Sequence, residues 1–193
     1  MHTEAISDPL WEIVKSLDDI PEIASAYLGG GTGLALQLGH RISDDLDFFV
    51  SEVFDERAFL NGLQQRGLQA LVMSQTPRHT TLTLRSFKID LIKEQIPLKF
   101  PLRRIRPEFK HLTMADAIDI GRMKLLSIGS RGSKKDFIDL YCLTKEKVTL
   151  PSLIEMAMEE NRGVRYSKLL FLKGLVDFEE AELEPDPSVW AKG

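Results

Sequence analysis

The chain carries a single cysteine, Cys142, in 193 residues. That excludes an intrachain disulfide and any zinc site built from paired cysteines, and it fits a reducing cytoplasm. Histidine is nearly as scarce, with four in the chain. His40 and His79 are too scattered for a metal site and read as surface or turn residues. No apolar run approaches the roughly 18 residues that a membrane helix needs, and no charged-then-apolar leader opens the sequence. The expectation is a soluble cytoplasmic protein with no membrane attachment. Net positive charge is also missing. The formal balance is −4, which argues against a globally basic nucleic-acid binder but leaves room for local basic patches. There is no internal repeat and no low-complexity segment. What is present suffices for a core: 43% of the residues are hydrophobic, in a length that suits one domain with a helical extension.

One stretch, Leu28–Val50, organises the rest. Three glycines, Gly29, Gly30 and Gly31, precede Thr32 and a helical run over Leu34–Leu38. A second turn over Gly39–Ser43 leads into Asp44-Asp45-Leu46-Asp47 and the apolar Phe48-Phe49-Val50. The pattern predicts a strand, a glycine turn, a short helix and a second strand that opens with carboxylates. Residues two apart on a strand share a face, so Asp45 and Asp47 project together while Leu46 turns into a core. Paired carboxylates supply the hard oxygen ligands that a divalent cation takes. Backbone N–H groups at a glycine turn and helix N-terminus favour an anion. A metal platform beside a phosphate cradle is what nucleoside triphosphate chemistry requires. The same glycines also fit an ordinary tight turn, and the same aspartates a solvated strand edge or a helix cap.

Around this stretch, a helix is predicted over Ser7–Asp19, capped by Ser7 or Asp8, and another over Asp55–Arg66. Strands are predicted over Leu68–Ser74, Thr80–Arg85 and Phe87–Ile92, the middle one from its strict Thr/Leu alternation. In the last of these, Asp90 sits on the face opposite Ile89 and Leu91. Three prolines mark Ile96–His111 as a connection, and it carries Lys99, Arg103, Arg104, Arg106 and Lys110. Beyond it, Thr113 is read as the cap of a helix running to about Ile128. Gly129–Ser133 reads as a turn, followed by helices over Lys134–Thr144, Pro151–Glu160 and Ser167–Phe178. Phe137, Leu140 and Tyr141 are placed on one face. The fold class is α+β, a small mixed or antiparallel sheet flanked by helices. An α/β core spans 1–98, and a linker with a helical region spans 99–193.

Four ordered motifs between Leu28 and Leu143 give this pattern a family resemblance. The first is Gly30-Gly31-Thr32-Gly33-Leu34 with Arg41-Ile42-Ser43 and Asp45-Leu46-Asp47. The second is Lys88-Ile89-Asp90-Leu91-Ile92. The third is a helix bearing Asp119 and Lys124. The fourth is Arg131-Gly132 with Lys135-Asp136-Phe137-Ile138-Asp139-Leu140. Together they resemble the AbiEii/AbiGii nucleotidyltransferase toxins of the DNA polymerase β-like superfamily. Gly33 stands where that family usually has alanine, and the chain is shorter than many relatives, so contacts made by their C-terminal helices do not carry over.

The resemblance implies a nucleotidyltransferase that moves a nucleoside monophosphate from an NTP to an acceptor. Asp45, Asp47 and Asp90 would hold Mg²⁺ or Mn²⁺, with Asp90 near the acceptor hydroxyl. Gly30, Gly31, Thr32, Arg41 and Ser43 would contact the nucleotide, Lys124 a phosphate, and Asp136 either metal or Lys124. From the residues alone, Asp136 could equally cap the helix near Lys135, and Asp139 and Asp119 read as structural, Asp119 through a salt bridge to an arginine. The resemblance further implies a toxin of a toxin–antitoxin or phage-defence pair, with a cognate antitoxin and tRNA as acceptor. Arg103–Arg106 and Arg131–Lys135 are candidates for an RNA path. A protein or small-molecule acceptor, and a catalytically idle nucleotide-binding module, remain the alternatives.

Overall fold

The computed structural model describes residues 1–93, 97–158 and 166–187, with the side chain of residue 131 set aside. The helix read over Pro151–Glu160 therefore ends outside the described residues.

Ser7 caps α1 (Asp8–Asp18), whose face of Leu10, Ile13, Val14 and Leu17 is fully buried. A 3₁₀ turn (Pro21–Ser25) delivers the chain to β1 (Ala26–Leu28). Then come α2 (Gly30–Leu38), β2 (Asp45–Val50) and α3 (Glu56–Gln65), the last capped by the Asp55 side chain. The strands β3 (Ala70–Gln75), β4 (His79–Leu84) and β5 (Phe87–Ile92) form a meander. Two-residue strands β6 (Arg103–Arg104) and β7 (Thr113–Met114) complete one seven-stranded sheet in the order β3-β4-β5-β2-β1-β7-β6. It is mostly antiparallel; β2 runs parallel to β5, and β1 parallel to β7.

The period-two pattern sorts β2 cleanly. Leu46, Phe48 and Val50 enter a core beneath the sheet with α1 and α3, while Asp45, Asp47 and Phe49 occupy the opposite face. A second core joins α2 to α4 (Ala117–Arg131), α5 (Lys134–Glu146), α6 (Leu150–Met158) and α7 (Lys168–Gly174), through Leu34, Ile120, Leu125, Leu140 and Phe171. A short α8 (Glu179–Leu183) follows. The long connection is tied down by Asp18, whose carboxylate accepts the N–H groups of Lys110, His111 and Leu112 at 2.8 Å each.

Three expectations need correction. Thr113 does not cap a helix: Thr113–Met114 pairs with β1, and Asp116 caps α4 by accepting the Ile118 N–H. Gly129–Ser133 is not a turn throughout, because α4 continues to Arg131. Gly129 and Gly174 instead let α4 and α7 approach closely; a side chain at Gly174 would overlap the Ile128 carbonyl. Tyr141 faces outward at 62% exposure, unlike Leu140 beside it.

Candidate active site

The site face is organised by strand register. β2 and β5 pair in parallel with Asp47 opposite Asp90 and Asp45 opposite Lys88. Asp45, Asp47, Lys88 and Asp90 therefore form a compact quartet on one face, with neighbouring strands about 4.8 Å apart.

Over this quartet sits the start of α2. The chain leaves β1 at Gly29, whose N–H donates to the Asp47 carbonyl at 2.9 Å. Gly30 then takes φ +57° with the Asp47 carboxylate against its Cα, where any side chain would overlap that carboxylate. The first-turn N–H groups of α2 have no helical partners to accept them, and the helix dipole adds positive potential there. No side chain caps them. The glycine turn and the first carboxylate pair thus meet as the spacing predicts.

Three residues of the same motif do something other than expected. Thr32, 1% exposed, points inward: its hydroxyl donates to the Asp45 carbonyl and meets the Ser43 hydroxyl at 2.8 Å. A single hydroxyl proton cannot serve both, so Ser43 donates to Thr32. Both residues brace the start of β2 rather than face a nucleotide. Arg41 is 2% exposed and binds Asp139 through Nε at 2.6 Å and Nη2 at 3.0 Å. Its guanidinium lies beneath Gly31, where a side chain would collide with it. Arg41 is an interior strut, not a phosphate or ribose contact. His40, read as a surface or turn residue, is 4% exposed and also reaches Asp139, at 2.6 Å.

Asp139 is thereby a hub. Fully buried on α5, it gathers His40, Arg41 and, at 2.9 Å, Lys124 of α4. Burial alone would raise its carboxyl, but Lys124, His40 and Arg41 together hold it well below the usual carboxylate range. Lys124 also donates to Asp136 at 2.7 Å. Burial works against the Lys124 charge, yet Asp139 and Asp136 outweigh it and raise its pKa. Asp136 closes a capping box with Ser133 at the start of α5, so it both caps that helix and orients Lys124. Asp119, fully buried, binds Arg122 at 2.5 Å and accepts the backbone N–H groups of Lys99 and Phe100. It is structural, as read.

Sequence reasoning missed the shell around Asp90. That carboxylate, 5% exposed, is held by Thr81 at 2.7 Å, His79 at 3.0 Å and Lys88 at 2.6 Å. Burial pushes Asp90 up, but these three hydrogen bonds outweigh it and hold it low. One signal was available: Lys88 and Asp90 are two apart on one strand. Thr81 comes opposite Asp90 only through the register of the two-residue hairpin at Arg85 and Ser86, where both take positive φ.

Asp47 is shifted the other way. Burial raises it above the usual carboxylate range, and Asp90 and Asp45 add to that, while Lys124 and Lys88 offset only part. A face that strains to keep a carboxylate ionised favours an added cation. Among the described residues, no three His, Cys, Asp or Glu side chains are gathered into a preformed metal cluster. The donor chemistry fits a hard divalent cation nonetheless: oxygen ligands only, crowded negative charge, and an anion cradle alongside.

The basic connector divides. Arg106 lies over the Trp11 ring at 5.4 Å. Arg103 pairs with Asp116 at 2.6 Å, and Arg104 donates to the Phe109 carbonyl at 2.6 Å. Arg103 and Arg104 are exposed and, with Lys147, Phe100 and Gln37, line a cavity of about 560 Å³. The Arg131 side chain lies outside the described residues.

A family model described as "Nucleotidyl transferase AbiEii toxin, Type IV TA system" matches residues 13–192. An uncharacterized protein of Aquifex aeolicus (strain VF5) is 36% identical over 163 residues, covering 82% of this chain and 76% of that one. Two solved structures share the fold. MenT4, a nucleotidyltransferase toxin from Mycobacterium tuberculosis H37Rv, matches with a TM-score of 0.53 at 16% identity, over 77% of this chain and 62% of that chain. The antibiotic-resistance factor ANT(2'')-Ia, in complex with adenylyl-2''-tobramycin, matches with a TM-score of 0.55 at 13% identity, over 86% of this chain and 95% of that chain. This chain thus spans less than two thirds of the length of MenT4. No helix among the described residues is long and apolar enough to cross a membrane.

Proposed function

Because the chain belongs to the family of AbiEii nucleotidyl transferase toxins, we propose that it transfers a nucleoside monophosphate from an NTP to a hydroxyl of an RNA acceptor, tRNA foremost, as the toxin of a toxin–antitoxin pair. The carrying observation is the Asp45–Asp47–Asp90 face lying directly against the Gly30 end of α2.

In-line displacement at phosphorus is a matter of positioning and charge neutralisation. Gly30 and Gly31 offer N–H groups to the triphosphate at the positive end of α2. Asp45 and Asp47, with Asp90, are the residues that would hold Mg²⁺ or Mn²⁺. When bound, such an ion neutralises phosphate charge and activates the attacking oxygen. Asp90 lies on the side of the face away from α2, where the acceptor hydroxyl would enter. Kept ionised by Lys88, Thr81 and His79, its carboxylate would be available to a cation beside that hydroxyl. Lys124, fixed by Asp136 and Asp139, sets the positive potential behind Asp47.

Two features support RNA as acceptor. Arg103, Arg104 and Lys147 line one cavity with Asp116, which pairs with Arg103, and this leaves the lining with positive charge in excess in a chain of net charge −4. That cavity also abuts the far end of α2: Gln37 lines it, seven residues or roughly 10 Å from Gly30. At about 3.4 Å per stacked nucleotide, this distance corresponds to some three nucleotides of strand.

The test is to incubate the protein with NTPs labelled at the α phosphorus, a divalent cation and total tRNA, beside Asp47→Ala. Label on RNA that disappears in the variant supports the proposal, and Arg104→Ala with Lys147→Ala should then raise the KM for RNA alone. Label on protein would move the acceptor to a polypeptide hydroxyl. No label with any acceptor, together with NTP binding by calorimetry, would identify an idle nucleotide-binding module.

A further inference from the structure

Among the three carboxylates of the site face stands a cation that the chain itself supplies. Lys88 lies on β5 opposite Asp45 of β2, and its ammonium reaches Asp90 Oδ2 at 2.6 Å. The other members of the Asp90 shell come from β4, on the far side of β5 from β2. Thr81 donates to Oδ1 at 2.7 Å, and His79 reaches the same oxygen at 3.0 Å. A carboxylate oxygen has two lone pairs, so these contacts fill Oδ1. Oδ2 is the oxygen that a cation could take, and Lys88 holds it. Its hydrogen bond to Asp90 raises the Lys88 pKa; partial burial opposes this, and the charges of Asp90, Asp47 and Asp45 add to it. Lys88 is therefore a charged occupant.

An ammonium and a divalent ion on one oxygen repel each other at close range. The ammonium is the one able to leave. Lys88 is half exposed on a flexible four-carbon stem, whereas Asp90 is buried and braced by Thr81 and His79. We infer that Lys88 competes with a divalent cation for Asp90, so that loading the metal displaces its ammonium from Oδ2. This rests on the proposed function, which supplies the cation. Lys88 thereby sets how tightly the face binds a metal on its own. The displaced ammonium stays beside Asp45, on the face where a triphosphate brings negative charge, so the metal binds more readily with a nucleotide than without one.

Titration of the chain with Mn²⁺ by calorimetry, without nucleotide, tests this. Lys88→Met should bind Mn²⁺ about tenfold more tightly than the wild type, the low end of what one hydrogen bond to a charged group contributes. Lys88→Arg, which keeps the charge, should stay close to the wild type. A second measurement separates displacement from the mere loss of a positive charge: acetylation of Lys88 by an N-hydroxysuccinimide ester, read by peptide mass spectrometry. Mg²⁺ should speed Lys88 acetylation several-fold in the wild type, chelator should reverse this, and Asp45→Asn with Asp47→Asn should show no response. Equal or weaker Mn²⁺ binding by Lys88→Met would overturn the inference and leave the proposed function standing. So would Lys88 acetylation that ignores Mg²⁺ in a protein that binds it. Mn²⁺ binding by neither protein would overturn the inference and count against the metal-dependent reading itself.

Discussion

Replacing Asp139 with alanine should be the most damaging single change outside the carboxylate face. Asp139 is fully buried, and Arg41 beside it is 2% exposed. The variant leaves that guanidinium under Gly31 without a counter-charge, and takes one of the two carboxylates from Lys124. Removing one partner of a buried ion pair costs about 3–5 kcal/mol, because the remaining charge stays desolvated. For a chain of this size each kcal/mol moves Tm by about 2–4 °C, so the fall should be roughly 6–20 °C. Urea unfolding should show a lower midpoint at an unchanged slope. The pH dependence has a definite sign. Asp139 is depressed in the fold, so its contribution is complete above its unfolded pKa near 3.8 and drains as pH falls towards the folded value. The alanine variant should therefore lose much of the wild type's acid sensitivity. Arg41→Met with Asp139→Leu should recover the part of the loss that comes from the stranded guanidinium, and leave the part owed to Lys124 and His40. A loss below about 1 kcal/mol for Asp139→Ala would refute the buried-hub account.

Other expectations follow from the same geometry. Asp47→Asn should raise Tm while lowering transfer by roughly 10²–10³-fold or more. Burial and two neighbouring carboxylates raise the folded pKa of Asp47, so stability is lost as pH rises through that value, and a neutral side chain removes the penalty. Calorimetry and the transfer assay read the two effects separately. Gly30→Ala forces a side chain into φ +57° and onto Asp47. It should cost about 1–3 kcal/mol and abolish transfer without unfolding the chain, as circular dichroism would show. A divalent cation at a hundredfold excess over its Kd should stabilise the wild type by about 2.7 kcal/mol, a gain that chelator reverses and Asp45→Asn with Asp47→Asn eliminates.

Much of the site was readable because short periodicities carry it. The Asp45/Asp47 spacing on a strand fixes a common face, and three glycines before a helical run mark where a carboxylate packs against backbone. Side-chain direction within the motif was not readable. Arg41, Ser43 and Thr32 sit beside the glycine turn in sequence, yet all three turn inward; for Arg41 the partner is Asp139, which α5 supplies from nearly a hundred residues away. Nothing local reveals that a basic residue has a buried partner so distant. The same holds for His40. Asp90 was read as one acid on a strand, while its shell of His79, Thr81 and Lys88 depends on hairpin register. Gly129 misled for a different reason: glycine serves both turns and close helix crossings, and only packing against α7 distinguishes them.

The central claim is nucleotidyl rather than phosphoryl transfer at the Asp45–Asp47–Asp90 face. One measurement separates the two whatever the acceptor is: parallel reactions in a cell extract with NTP labelled at the α or the γ phosphorus, for the wild type and Asp47→Ala. The account predicts α label on an acceptor, γ label released as pyrophosphate, and neither with the variant. γ label on the acceptor, or α label transferred equally by the variant, would contradict it.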